Sequence, residues 1–347
     1  MITTGTRIGV LIGISVLLLG ATGVYLVRNG LGAPGPSWAG QPSDGPGPAG
    51  TDPAGLLGVP HIVFRSAALG TDYGRLAVVA VADPGGPRAV LDVDCERVYA
   101  TATAGTCVAA RRGIPPRYAL VRLDDQLRPV AEQELAGLPS RARMSSDGTL
   151  AATTTFVSGH SYAGSSFSTE TVIWRDDHPV GNLEDFRAIV DGRPLTAINR
   201  NFWGVTFAAD GDTFYATAAV GDQTWLVRGS LSDRTLTAIR ENVECPSLSP
   251  DGRAIAYKKR LSATGSPAWR IAVLDLASGT ETMIADERSV DDQVEWLDDD
   301  HLLYAISRPG QEATVTDVWV TPADGSGTPQ IAIPEAGSPA VVRGGVR

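Results

Sequence analysis

The stretch PSLSPDGRAIAYKK, at residues 246–259, decides the fold class of this chain. A short strand-prone run of residues is followed by the turn sequence Ser-Pro-Asp-Gly and then by a second, apolar strand-prone run. An Asp side chain accepts hydrogen bonds from the backbone N–H groups just after it, and Gly adopts positive φ without strain. These residues therefore predict two antiparallel strands joined by a tight turn at Asp251 and Gly252.

The same unit occurs three more times along the chain. It reads RMSSDGTLAATTTF at residues 143–156, VTFAADGDTFYATAAV at residues 205–220 and, in a weaker copy, VEWLDDDHLLYAIS at residues 294–307. Successive turn aspartates are 63, 41 and 48 residues apart, and a four-stranded β-propeller blade takes about 40–50 residues. We interpret the turn residues as structural, and not as metal-binding or catalytic; they are Asp147, Gly148, Asp210, Gly211, Asp251, Gly252 and Asp299.

The remainder of the body also consists of short strand-prone runs. From His61 onward, runs rich in Val, Ile, Thr and Tyr alternate with turn residues, and the one helical pattern, at residues 183–186, is short. At about 48 residues per blade, residues 61–343 predict an all-β, six-bladed propeller; seven blades is the alternative if the longest interval holds an extra unit. We expect residues 338–343 to pair with the strand near His61 and close the ring.

These repeats resemble a known family. Residues 245–275, with CPSLSPDGRAIAYKK followed by WRIAVLDL, resemble the repeat of TolB-like β-propellers, which pairs an S-P-D-G-[KR]-x-[IL]-A-[FY] hairpin with a strand ending at an Asp and Gly turn. The segments NFWGVTFAADG, DDQVEWLDDD and DVWVTPADG look like those of exported, membrane-anchored TolB-like translocation-type proteins of high-GC bacteria. The resemblance implies six blades and an envelope or translocation role; at residues 61–135 it is extrapolated, because no Asp-Gly hairpin occurs there.

The N-terminal region predicts a membrane anchor. Residues 8–27 form an uncharged apolar run of 20 residues, and at about 1.5 Å per residue such a helix spans a hydrocarbon core of about 30 Å. Residues 1–7 would then be cytoplasmic, and residues 28–60 would be a disordered Gly/Pro-rich linker to an extracytoplasmic propeller. A small-x-small sequence ending at Ala39 leaves open cleavage near that residue and secretion.

The three cysteines bear on the compartment. Cys95 and Cys107 lie 12 residues apart, and we expect a disulfide between them, which requires export. The alternative is that both are small buried apolar residues. Cys245 is then unpaired, and we expect it to be buried.

The sequence offers little catalytic chemistry. A net charge of −10 and a pI of about 4.9 exclude a nucleic-acid-coating protein, which needs a basic face. His61, His160, His178 and His301 lack zinc spacing, and no G-x-S-x-G elbow, phosphate loop or dinucleotide fingerprint occurs. We therefore expect no enzyme activity, no metal and no cofactor.

Three other features are open to two interpretations. We interpret four acidic runs as solvated turns, with calcium binding as the alternative; they are residues 124–125, 176–177, 291–292 and 298–300. The acidic residues within 92–96 are interpreted as a solvent-exposed strand face. The body tryptophans are expected to pack between blades, with a binding face as the alternative; they are Trp174, Trp203, Trp225, Trp269, Trp296 and Trp319. The polar loop at residues 158–168 is the first choice for a contact surface.

Together these features favour a membrane-tethered extracytoplasmic propeller that acts as a non-enzymatic protein-interaction platform. Its partner would be a protein of the cell envelope and not a nucleic acid. The alternative is a lactonase-type enzyme, or a small-ligand or metal-binding sensor, that uses the propeller channel. That alternative predicts Asp, Glu, Asn or His side chains converging at one end of the channel.

Overall fold

The structure, a computed structural model, describes residues 52–157, 168–261 and 268–344. Within these ranges the chain forms 26 strands in six antiparallel sheets, one of which carries an added parallel strand. None of the helices in these ranges is long and apolar enough to cross a membrane. The predicted anchor at residues 8–27 lies outside the described residues, as does the predicted linker up to residue 51.

Each sheet is one blade, and its strands are named here from the central channel outward. Blade 1 consists of β26 (Ala336–Val342), β1 (His61–Ser66), β2 (Arg75–Ala80) and β3 (Ala89–Asp94). Blade 2 consists of β4 (Arg97–Ala100), β5 (Gly105–Arg111), β6 (Arg117–Leu123) and β7 (Pro129–Leu135). Blade 3 consists of β8 (Leu138–Met144), β9 (Leu150–Val157), β10 (Ser168–Arg175) and β11 (His178–Asn182).

The other three blades follow in chain order. Blade 4 consists of β14 (Arg200–Phe207), β15 (Thr213–Val220), β16 (Gln223–Ser230) and β17 (Thr235–Glu241), extended by β12 (Arg187–Val190) and β13 (Arg193–Pro194). Blade 5 consists of β18 (Glu244–Leu248), β19 (Ala254–Arg260), β20 (Trp269–Asp275) and β21 (Glu281–Met283). Blade 6 consists of β22 (Glu295–Trp296), β23 (His301–Ser307), β24 (Thr316–Pro322) and β25 (Gln330–Ile333).

The hydrophobic core is divided among the interfaces between blades. Six clusters of buried apolar side chains are present in the described ranges, and each one joins two neighbouring blades, including blade 6 to blade 1. The innermost strands contact each other in the order β26, β4, β8, β14, β18, β22 and back to β26. A blade therefore cannot bury its apolar faces alone, and closure of the ring completes the core.

The ring closes as the sequence predicts. Strand β26 is the innermost strand of blade 1 and pairs antiparallel with β1, so that Ile62 lies opposite Val341 and Val63 opposite Ala340. This pairing covers edges that would otherwise expose unpaired N–H and C=O groups.

The longest interval between turns contains an insertion and not a seventh blade. A 3₁₀ turn at Leu183–Asp185 confirms the short helical pattern, and β12 then pairs in parallel with β17 at the outer edge of blade 4. Leu183 and Phe186 are buried against the core of blade 4. The insertion therefore adds outer strands to an existing blade.

The linker prediction was wrong for its last residues. Helix α1 (Pro53–Leu57) is capped by the Asp52 side chain, which accepts from the Ala54 N–H at 3.0 Å. Leu56 and Leu57 pack against the core between blades 1 and 2. Two adjacent leucines supply apolar surface that the Gly/Pro-rich sequence before them lacks, and this burial orders the segment.

Candidate functional site

The Asp-Gly pairs lie in turns at the end of the ring where the innermost strands finish. Gly148, Gly211 and Gly252 have φ of 75°, 73° and 73°, and the three aspartates accept hydrogen bonds from backbone N–H groups just after them. Hydrogen bonds from Ser249 and from the Arg253 N–H lower the pKa of Asp251. These carboxylates are thus engaged within their own turns.

In blade 6 the turn role falls on a different aspartate from the one predicted. Asp298, and not Asp299, accepts from the N–H groups of Asp300 at 2.8 Å and His301 at 2.7 Å. Asp299 instead accepts from the Asp251 N–H at 3.2 Å and links the turns of blades 5 and 6. In the described part of the chain, no group of three or more His, Cys, Asp or Glu side chains is placed to hold a metal ion.

At the opposite end of the ring, the described residues line a cavity with a volume of about 720 Å³. We call it the mouth cavity. Its wall is formed by the first residues of innermost strands and by the hairpins between second and third strands. The lining residues are Arg97, Pro139, Ser140, Arg141, Phe156, Thr169, Trp203, Gly221, Asp222, Thr224, Glu244, Cys245, Lys258, Arg260, Trp269 and Asp291.

Lys258 is the buried cation of this wall, with only 3% of its surface exposed. Its ammonium bonds to the Asp291 carboxylate, lies 3.7 Å from Glu244 Oε2, and sits 4.6 Å from the centre of the Trp269 ring. Burial opposes its charge, but the neighbouring anionic groups outweigh burial and raise the pKa of Lys258. The lysine therefore stays charged inside the cavity wall.

The arginines of the cavity are also paired with carboxylates. Arg97 lies 3.6 Å from Asp292, and Arg141 lies 3.8 Å from Asp291. On the other side, Arg260 lies 2.9 Å from Asp222. The wall therefore alternates positive and negative groups.

The acidic run at residues 291–292 was wrongly interpreted as a solvated turn. Asp292 is buried, and Asp291 contacts Lys258 in the mouth cavity. By contrast, Asp92, Asp94 and Glu96 are exposed, as predicted.

A buried ion pair closes the channel below the mouth cavity. Arg143 bonds to the Glu295 carboxylate, donates to Ser247 Oγ at 3.1 Å and to the Val294 carbonyl at 2.9 Å. Burial, together with the charge of Glu295, raises the pKa of Tyr99 to about 12. A small pocket of about 20 Å³ lies beside Arg143 and Tyr99. These contacts connect four blades and give the mouth cavity a floor.

Cys245 is buried, as predicted, and it occupies a strained backbone position in the cavity wall. Its φ is +51°, and its N–H donates to Thr217 Oγ1 at 2.8 Å. A Cβ on Gly204 would lie 2.7 Å from the Cys245 Cα. Only Gly at position 204 therefore allows blade 4 to approach this residue so closely.

The Cys95 and Cys107 side chains lie together between blades 1 and 2. Their Cα atoms are 5.6 Å apart, within the range that a disulfide requires. Both residues belong to the core cluster of that interface.

Exposed apolar side chains lie at the same end of the ring as the mouth cavity. We call them the apolar rim. They lie at hairpins between second and third strands or next to the start of innermost strands, and they are Leu69, Ile114, Leu138, Phe156, Ile198 and Leu261. Ile114 is fully exposed at the tip of the β5–β6 hairpin. One end of the ring thus combines a charged cavity with apolar surface.

The tryptophans divide between packing and the cavity. Trp174, Trp225 and Trp296 are buried as predicted. Trp203 and Trp269 are half-buried and line the mouth cavity instead. The predicted contact loop at residues 158–168 lies outside the described residues except for Ser168. Sequence reasoning missed the cavity, although Lys258 and Lys259, the two lysines of the chain, were a signal close to it.

The three histidines that the structure describes lie apart and have different surroundings. His61 is buried and bonds to the Val59 carbonyl, and burial lowers its pKa. The His301 ring contacts the turn carboxylate of Asp298. His178 is exposed, and His160 lies outside the described residues.

The body is a six-bladed β-propeller. It is similar to TolB from Acinetobacter baumannii, with 16% identity, 82% of this chain and 67% of that chain covered, and a TM-score of 0.58. A chain of a nidogen/laminin complex matches with 10% identity, coverage of 82% and 98%, and a TM-score of 0.52. An oligogalacturonate lyase in complex with manganese matches with 13% identity, coverage of 73% and 72%, and a TM-score of 0.43.

No family model matches the chain, and no curated protein matches it. At these identities, the likeness to solved structures establishes the fold alone.

Proposed function

We propose that this chain is a membrane-tethered, extracytoplasmic, non-enzymatic platform that binds a protein partner with the end of the ring that carries the mouth cavity. The observation that carries this proposal is the coincidence of the charged cavity and the apolar rim at one end. Protein interfaces combine an apolar area with a few Trp and Arg side chains that dominate the binding energy. Trp203, Trp269 and Arg260 are such side chains.

The pairing of charges argues against a metal-dependent enzyme in the channel. A lactonase-type site needs carboxylates that are free to coordinate a cation. In the mouth cavity, Asp222, Glu244 and Asp291 each lie within 4.0 Å of Arg or Lys. A protein partner that exchanges ion pairs with the wall fits this arrangement better than a metal ion does.

Export is part of the same proposal. The apolar run at residues 8–27 would anchor the chain, and the following Gly/Pro-rich segment would carry the ring away from the membrane. A disulfide between Cys95 and Cys107 would form in that oxidising compartment and staple the blade that closes the ring to its neighbour. A role in envelope or translocation processes agrees with the TolB-like fold.

The proposal is tested by capturing the partner with matched surface variants. Cells producing the full-length chain are crosslinked, and the protein captured by wild type is quantified for I114D/L138D on the rim and V130D/I331D on outer strands. All four residues are exposed apolar side chains, so the two double variants differ only in location. The amount of captured partner should fall at least about tenfold for the rim variant, because truncation of a hot-spot residue costs about 2 kcal/mol or more. For the outer variant it should fall less than about twofold.

Two results would contradict the proposal. Equal loss of partner in both double variants would show that the rim is not the contact surface. Stoichiometric metal on the purified chain, removed by EDTA with a fall in melting temperature, would favour the enzyme or sensor instead.

A further inference from the structure

The carboxylates of the mouth cavity differ sharply in exposure. The side chains of Glu244 and Asp292 are 6% and 8% exposed, whereas those of Asp291 and Asp222 are 64% and 88% exposed. Glu244 is a fixed part of the wall, and Asp292 lies next to the cavity, 3.6 Å from Arg97. Asp291 and Asp222 lie at the boundary with solvent, where a side chain can turn away at little cost.

Asp291 is the exposed carboxylate that neutralises the deep cations. It bonds to the buried Lys258 ammonium and lies 3.8 Å from an Arg141 nitrogen. The charges of Lys258 and Arg141 help to lower the pKa of Asp291, although burial opposes this. Asp222, in contrast, pairs with Arg260 at the rim.

Removing Asp291 from this position would leave a site that favours another carboxylate. Lys258 would keep Glu244 at 3.7 Å. Arg141 would lose its ion pair with Asp291 and keep the attraction of Asp292, and its Nε has no hydrogen-bond acceptor among the described residues. A partly desolvated cation that loses one of its counter-charges is destabilised, so the position would favour an incoming carboxylate.

We propose that Asp291 occupies, from within the chain, the position at which an acidic side chain of the protein partner binds. This inference rests on the function proposed above and names the chemistry of the partner segment. The segment is a polypeptide carrying an Asp or Glu that displaces Asp291 and pairs with Lys258 and Arg141. The half-buried ring of Trp269, which lies against Lys258 and Arg260, borders the position that the acidic side chain would take.

The size of the cavity agrees with this occupant. A volume of about 720 Å³ lies within the range of natural ligand sites, which is about 300–1,000 Å³. The buried floor formed by Arg143 and Glu295 ends the cavity, so a segment enters and leaves from the mouth. Asp291 therefore competes with an incoming carboxylate for Lys258 and Arg141 and lowers the affinity of weakly acidic ligands. In this way it acts as an autoinhibitory contact of the binding site.

The test measures peptide binding to the full-length chain in detergent micelles. The probe is a fluorescein-labelled peptide, Gly-Ser-Phe-Asp-Phe-Ser-Gly, and its counterpart with Asn in place of Asp. Binding is followed by fluorescence anisotropy for wild type, D291N and D222N. The D222N control removes the same charge from the same cavity without touching Lys258.

D291N should bind the Asp peptide about fivefold more tightly than wild type, which is the upper end of the range for one exposed ion pair. The Asn peptide should show no such gain, and D222N, which unpairs only Arg260 at the edge of the cavity, should gain less than half as much as D291N. The proposal is overturned if D291N shows no gain that depends on the peptide carboxylate, or if D222N gives an equal gain. Succinate that competes as well as the peptide would overturn the assignment to a polypeptide.

The two proposals fail separately. Capture of a partner through the rim, without tighter peptide binding by D291N, would leave the platform function standing and remove the role of Asp291. Tighter peptide binding by D291N without rim-dependent capture would leave the role of Asp291 standing and remove the platform function.

Discussion

Substitution of Arg143 by Met tests whether the buried ion pair holds the ring together at its centre. Arg143 is 5% exposed and bonds to Glu295, whose side chain is 4% exposed. In R143M the Glu295 carboxylate keeps the Tyr99 hydroxyl, 3.3 Å away, but no longer has the Arg143 cation that pairs with it. Breaking a buried pair by removing one partner costs about 3–5 kcal/mol of unfolding free energy.

The expected loss is large enough to measure by thermal melting. For large domains, each kcal/mol shifts the melting temperature by about 2–4 °C, so R143M should melt roughly 6–20 °C below wild type. The assay is near-ultraviolet circular dichroism of the full-length chain in detergent at pH 7.5. Far-ultraviolet signal at low temperature checks that the variant still folds.

The control removes both partners. R143M/E295M leaves no unpaired charge, and well-packed apolar replacements of a buried pair are often neutral. The double variant should therefore recover at least half of the lost melting temperature. A single variant that melts within about 2 °C of wild type, or a double variant that melts as low as the single one, would refute this reasoning.

Three further predictions concern other parts of the ring. Reduction of Cys95 and Cys107, or their joint substitution by Ala, should cost about 3 kcal/mol by urea unfolding, because a short loop loses its closure; unchanged unfolding would contradict the disulfide. The Arg308 side chain lowers the pKa of Asp317, so the stabilisation by Asp317 is complete above pH 3.8 and is lost as the pH falls through the lowered pKa of the folded state. Over that fall in pH, the difference in unfolding free energy between wild type and D317N should shrink, and a constant difference would exclude this linkage. G204A should lower the free energy of unfolding more than G252A does, because a Cβ at position 204 would lie 2.7 Å from the Cys245 Cα, whereas a Cβ at position 252 faces open space. The expected losses are above about 2 kcal/mol for G204A and about 1 kcal/mol for G252A.

Much of the fold followed from local sequence signals. The Asp-Gly hairpins place their turns correctly because both residues act on their own backbone, and β26 was predicted because a closed ring must cover its terminal edges. The three-aspartate run in blade 6 misled the turn assignment, since each of its members has the same local chemistry. Only the three-dimensional contact of Asp299 with blade 5 distinguishes them.

The mouth cavity could not be predicted in the same way. Arg141, Lys258 and Asp291 come from blade 3, blade 5 and the connection to blade 6. Their spacing in sequence carries no motif, because the ring brings together strand starts that lie far apart along the chain. The pair at residues 291–292 looks like a solvated turn in sequence, and its burial depends on cations from other blades.

Site-specific photocrosslinking in cells tests the docking face most directly. A photoreactive phenylalanine analogue is placed at Ile114 on the apolar rim and, as a matched control, at Val130 on the outer strand β7. Binding of a protein partner at the mouth of the ring predicts one discrete adduct from position 114 and none from position 130. An adduct from position 130 alone, or equal adducts from both, would contradict it.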